Sequence, residues 1–238
     1  MDMDVEPEET YLTATKLCNH DDPSVRSRAE SVAAGARTPE ERAQSVFRYV
    51  RDDIRFSLAY SRSRASQTLR KGYGDCGSKT NAQIALLRAL GIPARLRWVR
   101  ARTQVLKGLV EEFVYRHLPP QASHFWCECF LGDRWISCEA LLDRPLYEGM
   151  IRSGLATTEQ IPSIDWDGVS DLVLLTPWIV EDRGRLPVYD VAIEAMVAGD
   201  EGMPPLLVER AIAPVFYRFN LRNPNRVRRR ASRGGRAC

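Results

Sequence analysis

The 238-residue sequence has no apolar run approaching the roughly 20 residues that cross a bilayer. Its opening stretch, MDMDVEPEET, is acidic and lacks the basic and apolar regions of a secretory signal. Both absences point to a cytoplasmic chain with no membrane partner. Cysteine is sparse: positions 18, 76, 127, 129, 138 and 238 are too irregular for the disulfide framework of a small secreted domain, so reduced thiols are expected. Cys127 and Cys129 form C-x-C, but no second cysteine pair or nearby histidine pair completes a zinc site. Alternation along a strand would place both on one face as small core residues. No metal and no cofactor is implied. A strong charge of one sign is also missing, and a formal +3 is too small to imply a nucleic-acid partner for the whole chain. Histidine is scarcer still, at only three copies.

What is present is the balance of a globular protein, 44% hydrophobic and 27% charged, in a chain long enough for one domain with appendages. The pattern divides into an acidic leader (1–22), a core (23–150), a C-terminal extension or lid (151–222) and a basic tail (223–238). Arg226, Arg228, Arg229, Arg230, Arg233 and Arg236 crowd that tail, which reads as a solvated, mobile end and the one place where RNA or an acidic partner would bind.

Pro23 to Gly35 carries helix formers. A second helix starts at Thr38-Pro39-Glu40-Glu41, where Thr38 caps, Pro39 suits the first helical position and Glu41 completes a capping box. Ala43, Val46, Phe47, Val50 and Ile54 then fall on one face. Ser61 to Gln67 reads as a surface loop. A third helix runs from about Gly77 to Leu90, stopped by Gly91 and Pro93, and Ala94 to Val99 alternates like a half-buried strand. His124 to Leu131 and Arg134 to Glu139 form a hairpin about Gly132-Asp133, a pair that suits a type II′ turn. Val188 to Val197 is helical in pattern.

Gly72-Tyr73-Gly74-Asp75-Cys76-Gly77 puts a thiol at the mouth of a helix, where unpaired amides and the helix dipole favour negative charge. The same amides suit an oxyanion. Of His20, His117 and His124, only His124 has orienting partners that the sequence supplies. With Leu131 paired to Arg134, the register pairs Trp126 with Glu139 and His124 with Leu141. Glu139 then lies diagonally from His124, at roughly 7 to 8 Å between backbones. Asp143 occupies the opposite diagonal if the strand runs on and is the runner-up acid; Glu128 faces the same way as a third choice. Thiol, base and orienting acid are the parts of nucleophilic cysteine catalysis.

These residues resemble the transglutaminase-like superfamily of papain-type cysteine enzymes. The resemblance runs from about Ser45 to Glu139. It rests on the helix-start Cys76, the words Arg88-Ala-Leu-Gly-Ile-Pro-Ala-Arg95, the strand His124-x-Trp126-x-Glu128, and Trp135 followed four residues on by Glu139. The segment Val50 to Phe56 is similar to the passage ahead of the cysteine in such proteins. The resemblance implies an α+β, papain-like core with N-terminal helices, in which the cysteine helix packs on an antiparallel sheet bearing the histidine. It implies acyl transfer through a thioester, hydrolysing or transamidating a peptide-like or small-molecule amide. The family usually has Asp where this chain has Glu139, and the alternative reading is a catalytically inactive binding module.

Overall fold

The computed structural model describes residues 9–58, 62–198 and 221–233. Helix α1 (Pro23–Val32) begins where the Asp22 carboxylate accepts the Ser24 amide at 2.9 Å. Helix α2 (Pro39–Asp53) begins at Thr38, whose hydroxyl accepts the Glu41 amide at 3.2 Å. The Glu41 carboxylate reaches one residue further back than a capping box does and accepts the Arg37 amide at 2.6 Å. Ala43, Val46, Phe47 and Val50 are buried as the periodicity requires. Each of the larger three contributes about 1.5–3 kcal/mol by leaving water. The expected loop between Ser61 and Gln67 is corrected by helix α3 (Ala65–Lys71), which buries Ala65 and Thr68. Its start signal is side chain to backbone, with the Arg64 amide donating to Gln67 Oε1 at 3.0 Å.

Helix α4 (Cys76–Ala89) is the centre of the molecule, and every residue from 77 to 88 is buried. Its polar side chains are used to satisfy carbonyls of the surrounding segments. Asn81 donates to Leu17, Gln83 to Cys138, Lys79 to Arg51 and Ile54, and Arg88 to Thr13, Ala94 and Pro187. A buried carbonyl without a donor costs free energy comparable to a lost hydrogen bond, so these bonds keep the helix admissible in the core. The segment read as an acidic leader joins this core through Leu17 and Cys18.

The sheet against α4 has the order β5-β4-β3-β6 and is antiparallel throughout. Strand β3 (Ala94–Arg102) runs past the Val99 limit read from alternation, because it is central and pairs on both edges. Strand β6 (Ile179–Leu186) was not legible: its residues are polar and mostly exposed. Strands β4 (Gln121–Leu131) and β5 (Arg134–Ser137) pair as expected at Leu131 with Arg134 and Phe130 with Trp135. The turn is different. Gly132 and Asp133 both have positive φ, +53° and +64°, which is a type I′ turn and not type II′. The hairpin also ends early: Cys138 makes a parallel bridge with Leu172, and the Glu139 amide donates to the Leu172 carbonyl at 3.1 Å. The expected pairs of Trp126 with Glu139 and His124 with Leu141 therefore do not form. Two short strands, β1 (Arg55–Phe56) and β2 (Tyr73–Gly74), pair in parallel ahead of Cys76.

After the sheet, short helix α5 (Glu112–Arg116) lies between β3 and β4, and α6 (Arg144–Arg152) follows β5. Helix α7 (Tyr189–Ala198) forms where the helical pattern after Val188 placed it. Residues 199–220, part of the expected extension or lid, lie outside the described residues. The basic end was read as a mobile tail. Instead it holds helix α8 (Arg222–Arg233), which packs on α6 and buries Val227 in a second apolar cluster with Leu146, Met150 and Trp178. Arg228 anchors it through a two-pronged ion pair with Asp143, at 2.8 and 2.5 Å.

Candidate active site

Cys76 is the first residue of α4, and the capping arrangement decides which amides it faces. Asp75 accepts the Ser78 amide at 2.8 Å with its carboxylate and the Lys79 amide at 3.0 Å with its carbonyl, while Ser78 Oγ accepts the Asp75 amide. The amides of Cys76 and Gly77 bond to no described residue and remain at the helix mouth, where the dipole is most positive. Gly77 is needed for contact, since a Cβ there would lie 2.5 Å from the Tyr189 hydroxyl oxygen. Tyr189 of α7 thus closes directly over the residue after the thiol.

His124 is carried on β4 and is buried. Its Nε2 lies 2.9 Å from Glu139 Oε1, and the Cys76 side chain is a close enough neighbour to raise the imidazole's pKa. With Nε2 taken by the carboxylate, Nδ1 is the nitrogen left for the sulfur. The second oxygen of Glu139 accepts the Leu174 amide at 2.6 Å, and the carboxylate is almost wholly buried. Trp126 packs beside the imidazole, ring centres 6.0 Å apart, and its indole N–H is held by Ser137 Oγ at 3.1 Å. Burial opposes a positive charge on His124, but the Glu139 carboxylate and the bonds to Cys76 and Glu139 outweigh it and raise its pKa to about 10. A protonated imidazole therefore stands next to the sulfur.

The structure thus brings together Cys76, His124 and Glu139. It does not bring Asp143 to the histidine. That carboxylate caps α6 by accepting the Leu146 amide at 3.2 Å, accepts the Phe56 amide at 3.3 Å, and holds Arg228. Burial alone would push its pKa up, yet the Arg228 bonds and charge hold it below the ordinary carboxylate value. Glu128 is engaged by Arg95 at 2.7 Å and Arg185 at 3.3 Å. Glu139 reaches the imidazole because the chain leaves β4 after Cys138, whose amide still donates to the Cys127 carbonyl at 2.8 Å, and Glu139 turns its amide to Leu172. Sequence register brought Glu139 near His124 along a path the backbone does not take.

A cavity of about 910 Å³ opens onto Cys76 and His124. Leu109, Leu141, Leu142, Met150 and Leu175 form its buried wall, and Tyr189 and Met196 of α7 complete it. His117, for which the sequence supplied no orienting partner, lines the same cavity, with its Nδ1 2.7 Å from the Phe113 carbonyl. None of these residues carries a local signal, because each reaches the cavity only through tertiary packing.

A thiol at a helix start, an imidazole on the adjoining antiparallel sheet and a carboxylate behind it form the papain-like class of arrangement. Residues 26–140 match the family model of the Transglutaminase-like superfamily. Among solved structures, the chain is similar to a proposed cysteine protease from Cytophaga hutchinsonii. The two are 20% identical with a TM-score of 0.45, over 59% of this chain and 43% of that one. A proposed protease from Parabacteroides distasonis is 11% identical with a TM-score of 0.35, over 51% of this chain and 25% of that one. The chain therefore spans less than half the length of either. No curated protein matches it.

Proposed function

We propose that the protein is a cysteine-dependent hydrolase or acyltransferase acting on a peptide-like or small-molecule amide, with Cys76 as nucleophile, His124 as base and acid, and Glu139 as the residue that orients His124. The observation that carries this reading is the bonded pair His124–Glu139 standing beside Cys76 at the open end of α4. The Cys76 sulfur adds to the acyl carbonyl while its proton rests on His124 Nδ1. The oxygen takes the negative charge, and the Cys76 and Gly77 amides are suited to bind it. Collapse expels the amine with the His124 proton and leaves a thioester. Water, activated by His124, would then release the acid; an amine would give a new amide. Glu139 steadies the imidazolium and keeps Nε2 as donor, so that Nδ1 faces the thiol. A cavity at the upper end of the roughly 300–1,000 Å³ of small-molecule sites suits a substrate of that scale. The five described cysteines are unpaired, which fits a reducing compartment such as the cytoplasm.

The test is intact-mass detection of an acyl-enzyme across a panel of amides and thioesters. The expected adduct disappears in Cys76→Ala, and an adduct that survives the substitution refutes the nucleophile. In parallel, iodoacetamide should label Cys76 faster than the other five cysteines at neutral pH. An absence of that preference would favour the inactive binding module.

A further inference from the structure

Cys76 packs against both apolar clusters of the protein, so the thiol stands at the seam between the helix–sheet core and the second cluster around α6. The cavity follows that seam. On its inner side the wall is the second cluster itself: Phe56, Leu109, Leu141, Leu142, Met150 and Leu175 all line it, and each is at most 6% exposed. Leu106, half-buried at the end of the short helical turn Thr103–Leu106, continues the same wall. Apart from Asp75, whose carboxylate caps α4, the charged residues and histidines lining the cavity come from the sheet, from α5 and from the residue after α5. Of these, Arg102, Arg116, His117 and Arg183 are exposed, which marks the side open to water.

The two sides suit different parts of one acyl-transfer cycle. The acyl group stays on the protein from thioester formation to release, while the leaving amine and the water or amine that replaces it must come and go. A buried wall suits the group that stays, and a wet, polar side suits the groups that exchange. Hydrocarbon gains by leaving water for such a wall, about fourfold in equilibrium constant for each buried methylene. A charged group laid on the same wall would lose its hydration and find no partner there.

From this we infer that the acyl donor carries an uncharged hydrocarbon acyl group, which lies against the second apolar cluster while its carbonyl reaches Cys76. This inference rests on the proposed acyl-transfer reading for the position of the carbonyl, but the binding of the hydrocarbon group can be measured without it.

The experiment is acyl-enzyme formation by the unsubstituted protein with N-acetylcysteamine thioesters of acetyl, butanoyl, hexanoyl, octanoyl and decanoyl groups, followed by intact mass over time. Attack by the Cys76 sulfur breaks the thioester bond and releases N-acetylcysteamine, which takes its proton from His124. The second-order rate constant should rise about fourfold per methylene until the wall is filled. Donors of octanoyl length that end in a carboxylate or an ammonium group should react roughly a hundredfold more slowly than octanoyl itself. Leu106→Trp should move the best chain to a shorter length and Leu106→Ala to a longer one. In parallel, the Cys76→Ala protein is titrated calorimetrically with N-ethyl amides of the same acids, which should bind more tightly as the acyl chain grows. N-Alkylacetamides, which carry the same chains on the amine side, should show no such gain. Acyl-enzyme formation indifferent to chain length or to a terminal charge overturns the inference and leaves the catalytic reading standing, and an optimum unmoved by both Leu106 substitutions does the same. No acyl-enzyme from any donor, together with graded binding by the Cys76→Ala protein, sinks the catalytic reading and leaves the hydrocarbon site standing. Ungraded binding, or grading along the amine chain, overturns the inference.

Discussion

Replacing Glu139 by glutamine tests the site more sharply than removing the side chain, because the surroundings dictate how an amide must sit. Glu139 now accepts two hydrogen bonds, one from the Leu174 amide at 2.6 Å and one from His124 Nε2 at 2.9 Å. Leu174 N–H can only donate, so the glutamine carbonyl is drawn to it and the NH2 group is turned to His124. Nε2 must then accept, which moves the imidazole proton to Nδ1, where it faces the thiol and blocks proton uptake. The flipped amide restores the productive tautomer, but it sets NH2 against the Leu174 N–H. Leaving that buried donor unpaired costs about 1–3 kcal/mol, so the productive form is held to roughly a fifth or less of the molecules. Loss of the charge-assisted bond to the imidazolium removes about 1.5–3 kcal/mol more. Together these give a fall of about 10² to 10⁴ in kcat/KM, at 1.4 kcal/mol per tenfold. The assay is kcat/KM for the best acyl donor from pH 5 to 11. The alkaline limb, set by His124 near 10, should also move down toward the ordinary histidine value once the carboxylate is gone. A Glu139→Gln protein within about threefold of wild type, with its alkaline limb unmoved, would refute the assignment of Glu139.

Asp143→Asn should cost stability and not chemistry, because it leaves Arg228 buried without its counter-charge. Breaking such a pair costs about 3–5 kcal/mol, measurable by urea unfolding. Because Arg228 holds the Asp143 pKa low in the folded protein, this contribution is present above the unfolded carboxylate value and fades as pH falls through the lowered folded one. Buried Lys79 gives the opposite pH signature. Burial lowers its pKa to about 7, so above that value the folded state binds fewer protons than the unfolded one and stability from this group rises toward pH 10. His124 works the other way: its raised pKa gives stability that is full below the unfolded value near 6.5 and lost as pH passes through about 10. The difference between wild type and Lys79→Met in unfolding free energy isolates the lysine. It should shift in favour of wild type between pH 7 and pH 9.5, and a pH-independent difference would show that Lys79 is not held as described.

Much of this protein is legible in one dimension. Thr38 and Pro39 start α2 wherever the chain goes, since capping involves only neighbours within a turn. The 3.6-residue stripe from Ala43 to Val50 and the glycine turn before Cys76 are equally local, and so is the meeting of Leu131 with Arg134 across the hairpin. Cys76, His124 and Glu139 were therefore nameable as candidates from spacing and family words. Only the tertiary structure shows which of Glu139 and Asp143 bonds His124. The choice turns on partners distant in sequence: Leu172 draws the chain off the hairpin so that Glu139 reaches His124, while Arg228, 85 residues further on, claims Asp143. The same holds for β6, whose exposed polar residues gain strand structure from the free edge of β3, and for the arginine tail, whose helix forms where Val227 and Arg228 find cover on α6. Local bonds write themselves into neighbouring residues, but a long-range partner leaves no mark on the segment that waits for it.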